Sequence, residues 1–282
     1  MKKIKLYYAG KLKNFGDALN IDICTKIFKT IPVFSSIWKC QSTFIGSTLD
    51  FFEYKRYSKK FFFRLLFSCM IKQKVKVWGS GFMSDVKNNY EKKLFRELEV
   101  YAVRGHLTKT RLEVITNQKL NNIALGDPGL LASYLIPKNY TVKYQLGLIP
   151  HYVDFHLPIW QKIQKKYPNS IIIDVTEKPM VCISNIVQCS TIISSSLHGL
   201  IVSDSFGIPN IRAVVSNNIW GGDFKFNDYY SVYGIDNHNK IDMRYDNCID
   251  NINLKNIVNN YKISQKNVEI IKNDLIRTFP YK

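Results

Sequence analysis

Ile192-Ile193-Ser194-Ser195-Ser196-Leu197-His198-Gly199-Leu200 is the stretch on which the fold turns. A short apolar run stops at three serines, and an apolar stretch of helical period follows at once. That pattern is a buried strand running into a helix, with polar groups gathered at the strand's carboxyl end. Ligands bind at such ends in open α/β sheets. Serine hydroxyls and the amides that open a helix can hold an oxyanion. A histidine in the first turn can move a proton near neutral pH, or it can be an ordinary core histidine. A Ser–His hydrolase is the weaker reading. The G-x-S-x-G elbow is missing, and the serines lie too close to His198 for a standard triad.

The same grammar repeats outward in both directions. Strands are expected at Ile4–Ala9, Thr43–Ile45, Val75–Trp78, Val100–Val103, Ile123–Leu125, Gln145–Ile149, Ile171–Val175, Thr191–Ile193 and Ile211–Val215. Helices are expected at Asp17–Lys29, Tyr90–Glu97, His106–Thr116, Leu157–Lys166, Lys178–Gln188, Leu197–Phe206 and Ile263–Ile276. Strand–helix alternation is the signature of parallel α/β architecture. The strands are too many for one small sheet, and the polar link Pro137–Lys143 separates two similar halves. The expected fold is therefore two Rossmann-like domains facing across a cleft. They would span residues 1–136 and 143–260, with a C-terminal helix in 261–282 packing back on the first.

The chemistry should sit at the strand ends. Asn14-Phe15-Gly16-Asp17 opens the first helix, where Asn or Asp can cap and free amides can hold an anion; an ordinary turn and cap fits equally. Gly79-Ser80-Gly81 lets backbone approach a ligand closely, or simply turns the chain. Arg104 stands at a strand end, where a guanidinium can fork onto a carboxylate or phosphate. Gly126-Asp127-Pro128 and Pro150-His151-Tyr152 close two further strands. Lys225, between Phe224 and Phe226, is either a point charge in a pocket or an exposed loop lysine.

Composition narrows the partners. The 282 residues carry 40 Lys and Arg against 22 Asp and Glu, a net +18. A surplus of that size favours an anionic partner. With 46 % hydrophobic and 22 % charged residues the chain can form a packed core. None of the six cysteines forms a C-x-x-C pair, so no zinc knuckle is expected, and scattered thiols favour a reducing compartment. Met1-Lys2-Lys3 resembles a secretory n-region, but the apolar run Leu6–Ala9 is too short for an h-region. No run reaches the roughly 18 apolar residues of a membrane span. A cytoplasmic protein is expected, with one special segment. Phe51 to Lys76 interleaves Lys and Arg with aromatics against a single acid, Glu53. Such a segment can rest on an anionic membrane, can be a core helix with snorkelling cations, or can contact nucleic acid. No nucleic-acid fold signature accompanies it.

Taken in order, seven strings resemble the polysaccharide pyruvyl transferase family. They are Asn14-Phe15-Gly16-Asp17, Gly79-Ser80-Gly81, Val103-Arg104-Gly105, Gly126-Asp127-Pro128-Gly129-Leu130-Leu131, Pro150-His151-Tyr152, Ser195-Ser196-Leu197-His198-Gly199 and Phe224-Lys225-Phe226-Asn227-Asp228-Tyr229. The resemblance implies a GT-B-like fold, phosphoenolpyruvate as donor, and a sugar that receives pyruvate as a ketal, without a cofactor or metal. It implies His198 as acid/base and Arg104 as the clamp on the donor. Ser80, Gly81, Ser195, Ser196 and Lys225 complete the expected donor side; Asn14, Asp17, Asp127 and His151 form the acceptor side. Ser196 stands where some members carry Arg, and Lys225 or Arg212 would replace that charge. A lipid-linked acceptor at the inner face of the plasma membrane fits the aromatic–basic segment. The rival readings are a GT-B-like glycosyltransferase using a nucleotide sugar and a non-catalytic binder of acidic glycan.

Overall fold

The computed structural model describes residues 1–9, 14–53, 73–85, 94–137, 139–236, 238–245, 249–250 and 252–282. Two parallel sheets frame it. The first contains β1 (Lys2–Tyr7), β2 (Thr30–Phe34), β3 (Ser42–Thr43), β4 (Val75–Trp78), β5 (Leu98–Val103) and β6 (Ala124–Leu125), in the order β2-β1-β3-β4-β5-β6. The second contains β7 (Leu146–Ile149), β8 (Ser170–Ile172), β9 (Ile192–Ser194), β10 (Asn210–Val214) and β11 (Lys240–Asp242), in the order β11-β10-β9-β7-β8. Every ladder between these strands is parallel. Central strands bury both faces, which is why β7 reads as an unbroken apolar run with every residue buried.

Helices connect the strands: α1 (Phe15–Asp22), α2 (His106–Thr116), α3 (Ile159–Lys166), α4 (Pro179–Ile186), α5 (Leu197–Ser205), α6 (Phe224–Ser231), α7 (Leu254–Asn259) and α8 (Gln265–Arg277). The helix expected over Asp17–Lys29 is two pieces, α1 and a π-helical turn at Ile23–Ile27. β2 was not anticipated, because Pro32 interrupts its run. It is an edge strand, the place where a missing N–H costs no ladder bond. The helix expected over Tyr90–Glu97 is not helical in its described part. Leu94 instead bridges antiparallel to Glu53, and β5 begins at Leu98. The loop reading of Phe224–Tyr230 is likewise replaced by α6.

One apolar core runs through both halves. Ile4, Leu6 and Phe15 from the first join Ile149, Ile183 and Leu200 from the second, and the Phe15 amide donates to the Val175 carbonyl at 2.7 Å. The C-terminal segment returns to the first sheet. Trp78 Nε1 donates to the Leu275 carbonyl at 3.0 Å, and Phe279 stacks on Phe28 with centroids 3.7 Å apart. Burial of Phe279 alone contributes about 1.5–3 kcal/mol. Most of the aromatic–basic segment, 54–72, lies outside the described residues. Its described ends pack inward: Phe52 is fully buried and Lys76 donates to the Pro280 carbonyl. No helix among the described residues is long and apolar enough to cross a membrane.

Candidate active site

Each sheet reverses its strand order once. In the first, the chain leaves β1 for β2 on one side and returns to β3 on the other. In the second, the same reversal falls between β7 and β9. These are the switch points, where loops splay apart and leave a crevice. The residues after β1, β3, β7 and β9 converge on one cavity of about 210 Å³ between the two sheets. Asn14, Asp17, His151, Ser196, His198 and Lys225 line it.

The serine run explains how the second half of the wall is held. Ser194 Oγ donates to the Ile149 and Ser196 carbonyls and accepts from the Ser196 amide. Ser195 Oγ accepts from the His151 amide at 2.8 Å. Two of the three hydroxyls thus lash the ends of β7 and β9 together; Ser196, at the N-terminus of α5, is the one that faces the cavity. All of α5 is buried, and Gly199 is required because a Cβ there would sit 2.5 Å from Ser194 Oγ. His198 is 7 % exposed, and its ring lies so close over Gly16 that a Cβ at that position would collide with it. Its Nε2 is buried without a hydrogen-bond partner, 3.9 Å from Asp127 Oδ2, which has none either. The other oxygen of Asp127 accepts from the Gly129 amide at 2.8 Å.

The first half supplies the facing wall. Asn14 caps α1 by accepting from the Gly16 amide, and Asp17 follows in the first turn. Ser47 and Thr48 line the cavity from the loop after β3. That loop is tied down by Ser80, whose Oγ donates to the Gly46 carbonyl at 2.8 Å and lies 2.6 Å from Thr48 Oγ1.

Four expected donor-side residues therefore stand behind the cavity rather than on its surface: Ser80, Gly81, Arg104 and Ser195. Arg104 is 1 % exposed. Its Nε donates to Asp228 Oδ2 at 2.9 Å, its Nη1 to Ser47 Oγ at 2.6 Å and its Nη2 to the Phe82 carbonyl. Gly81 is small because a Cβ would strike that guanidinium. Asp127, expected on the acceptor side, is buried behind His198. Arg212 is turned away, bonded to Asp223 and stacked 3.7 Å from the Phe226 ring centroid. Among the described residues Lys225 is the cation that reaches the cavity, and it makes no hydrogen bond or ion pair with another of them. Asp228 and Trp220 also belong to the site, although neither is among the expected site residues. Asp228 lies three residues from Lys225, one helical turn along α6, a spacing visible only once that segment is read as helix.

The field inside is positive. Burial, then Lys225, Arg104 and His151, push the His198 imidazole down to about 3, so it is neutral at pH 7. Burial and Lys225 hold His151 at about 3. Burial, then Arg104, lower Lys225 to about 8, with Asp17 opposing. Burial raises Asp17 to about 7 and Asp127 to about 6. A lysine with no ion pair to another described residue, and two histidines held neutral by burial and then by neighbouring cations, suit the cavity to an anion. Among the described residues no group of three or more His, Cys, Asp or Glu is placed to hold a metal ion.

Residues 3–218 match the polysaccharide pyruvyl transferase family, and the chain belongs to it. It is 27 % identical over 168 residues to the succinoglycan biosynthesis protein ExoV of Rhizobium meliloti (strain 1021), across 56 % of this chain and 48 % of that one. It is 33 % identical over 143 residues to an uncharacterised protein of Acanthamoeba polyphaga mimivirus, across 49 % of each. The chain thus spans about half the length of the curated relatives it matches. A crystal structure of a functionally uncharacterised Klebsiella pneumoniae protein superposes with a TM-score of 0.47 at 15 % identity, covering 84 % of this chain and 89 % of that one.

Proposed function

We propose that this protein moves the pyruvyl group of phosphoenolpyruvate onto two hydroxyls of a sugar, releasing phosphate, in the synthesis of a capsule, exopolysaccharide or cell-wall glycan. The observation that carries this reading is the meeting of Lys225, unpaired among the described residues, with His198 in one small cavity at the switch points of both sheets. The family supports the reaction, and a relative named for succinoglycan biosynthesis supports the polysaccharide setting. At about 210 Å³ the cavity suits a three-carbon acid phosphate better than a nucleotide sugar, since pockets for drug-sized ligands run roughly 300–1,000 Å³. The arrangement of the sheets is taken as GT-B-like. The acceptor is taken to be lipid-linked and met at the inner membrane face.

The chemistry follows from the groups present. Lys225 and the open first turn of α5 hold the anionic donor. His198 delivers a proton to the methylene carbon, which becomes methyl, and the adjacent carbon takes on oxocarbenium character. One sugar hydroxyl attacks that carbon, and the bond to the phosphate oxygen breaks. The second hydroxyl then closes the ketal. Of the two hydroxyl protons, one replaces that given to carbon and the other leaves with phosphate. Asp17, with its carboxyl raised to about 7, is matched to accept a hydroxyl proton near neutral pH. Asn14 and His151 orient the acceptor. Asp127 stands behind His198 as a positioning residue, its carboxylate 3.9 Å from Nε2, where it favours the protonated ring.

The test is phosphate release from phosphoenolpyruvate with lipid-linked galactose-, mannose- and glucosamine-type acceptors. Acceptor-dependent release, with a product heavier by one pyruvyl ketal, is expected. No release together with thermal stabilisation by a UDP-sugar, and none by phosphoenolpyruvate, would move the assignment to a glycosyltransferase. Lys225→Ala should weaken phosphoenolpyruvate binding about 10- to 100-fold, the scale of one or two charge-assisted hydrogen bonds. Lys225 is charged below its value of about 8. Wild-type affinity should therefore hold below that pH and fall as pH rises through it. Lys225→Arg should abolish the fall, because guanidinium stays charged. Calorimetric titration across the window reads both; an affinity in wild type that ignores pH there removes Lys225 from the donor site.

A further inference from the structure

The cavity is polar within and apolar at its mouth, and one residue of the mouth is out of place by any packing criterion. Trp220 is 70 % exposed. Trp78 and Trp160 are fully buried, and Trp38 is half-buried with its ring stacked 4.4 Å from that of Phe95. A lone exposed aromatic needs no explanation, but Trp220 is not isolated. It lines the same cavity as Lys225 and His198, together with Tyr152, whose ring leans on His151 with centroids 4.4 Å apart. The backbone that carries it is fixed. Gly221 and Gly222 both have positive φ, at +82° and +53°. Gly221 packs so tightly on the Met83 carbonyl, from the other half of the molecule, that a Cβ would collide with it. The Gly221 carbonyl then receives the Phe224 amide at 3.2 Å, joining the loop directly to α6 and so to Lys225. The chain is anchored at Gly221, the residue after Trp220, and runs on into α6 and the charge that would hold the donor.

Building on the pyruvyl-transfer reading, we infer that Trp220 is the stacking platform for the acceptor sugar. A pyranose ring has an apolar face of C–H groups, which packs on the electron-rich face of an indole. The charged floor is taken up by a donor of three carbons and a phosphate, so the sugar has to sit at the mouth. Stacked on Trp220 it presents the hydroxyls of its edge inward, toward Asp17 and His198. The indole fixes the plane of the ring without selecting among hydroxyl configurations; that selection falls to polar neighbours such as Asn218, which lines the same mouth.

The experiment has two readouts. In turnover assays Trp220→Ala should raise the acceptor KM about tenfold, the scale of one lost stacking contact. It should leave the phosphoenolpyruvate KM and kcat within about twofold, and Trp220→Phe should restore most of the loss. In binding assays, methyl glycosides of galactose, mannose, glucose and N-acetylglucosamine are titrated against protein saturated with phosphoenolpyruvate. At least one should quench and blue-shift tryptophan emission saturably in wild type, and none should do so in Trp220→Phe. Phosphate release with an unchanged acceptor KM in Trp220→Ala overturns the platform and leaves the pyruvyl-transfer reading standing. A saturable glycoside response at Trp220 in a protein that releases no phosphate supports the platform and overturns that reading. Emission that no glycoside moves overturns the platform.

Discussion

His198→Ala should lose roughly 10²- to 10⁴-fold in turnover, the range of a positioned acid/base, while the protein stays folded and still binds phosphoenolpyruvate. The fold should survive because the imidazole lies over Gly16 at the edge of an existing cavity, and its Nε2 makes no hydrogen bond that a neighbour would miss. Donor binding should survive because the charge that draws the anion belongs to Lys225. The pH profile makes the test sharper. In the free protein His198 sits at about 3, held there by burial and by Lys225 and Arg104. The donor's negative charges oppose those cations, so binding raises the imidazole toward the range in which it can carry a proton. Turnover at saturating donor should then decline as pH climbs past the raised value. Asp127→Asn removes the carboxylate 3.9 Å from Nε2. It should destabilise the imidazolium, lower that value and shift the decline to lower pH. Wild-type turnover in His198→Ala would strike the histidine from the mechanism. An unmoved profile in Asp127→Asn would reduce that carboxylate to a cap on the turn at Pro128–Tyr134.

Local chemistry made parts of this molecule readable and hid others. Val75–Trp78 and His106–Thr116 form the elements expected of them, since apolar period and clear termini agree there. β2 was hidden by Pro32, and α6 by Gly221-Gly222 and a run of aromatics that reads as loop. The cavity was legible as a set of strand ends, because a parallel sheet forces its polar termini to one edge. Sequence could not say which polar groups face the ligand and which hold the edge together. Ser194, Ser195 and Ser196 are adjacent and chemically identical, yet two lash strands and one faces the cavity. Arg104 is the sharpest case: its partner lies 124 residues away in the other half of the chain, beyond the reach of any local pattern.

That partnership sets the second large effect. Arg104→Ala should destabilise the protein by about 3–5 kcal/mol, the cost of leaving one member of a buried pair uncompensated. Asp228 is fully buried and accepts from the Thr108 amide at 2.8 Å and the Thr108 hydroxyl at 2.6 Å, besides Arg104. Without the guanidinium its charge has two neutral donors and no cation. The same replacement releases Ser47 and the Phe82 carbonyl, so the loop after β3 loses one of its anchors and keeps those through Ser80. Because Arg104 ends β5 in the first half and Asp228 lies on α6 in the second, the pair bolts the halves together and sets the height of Lys225 in the cavity. Asp228→Asn should cost part of this. The double variant Arg104→Met with Asp228→Leu should be more stable than Arg104→Ala, because it buries no unpaired charge. Thermal unfolding measures all three. At temperatures where Arg104→Ala is still folded, its donor KM should rise less than in Lys225→Ala, since Arg104 acts on the anion from behind Ser47 rather than by contact. Unchanged thermal stability with donor binding abolished would instead make Arg104 the clamp itself, and would mean that donor binding turns the guanidinium out of its bonds to Asp228 and Ser47.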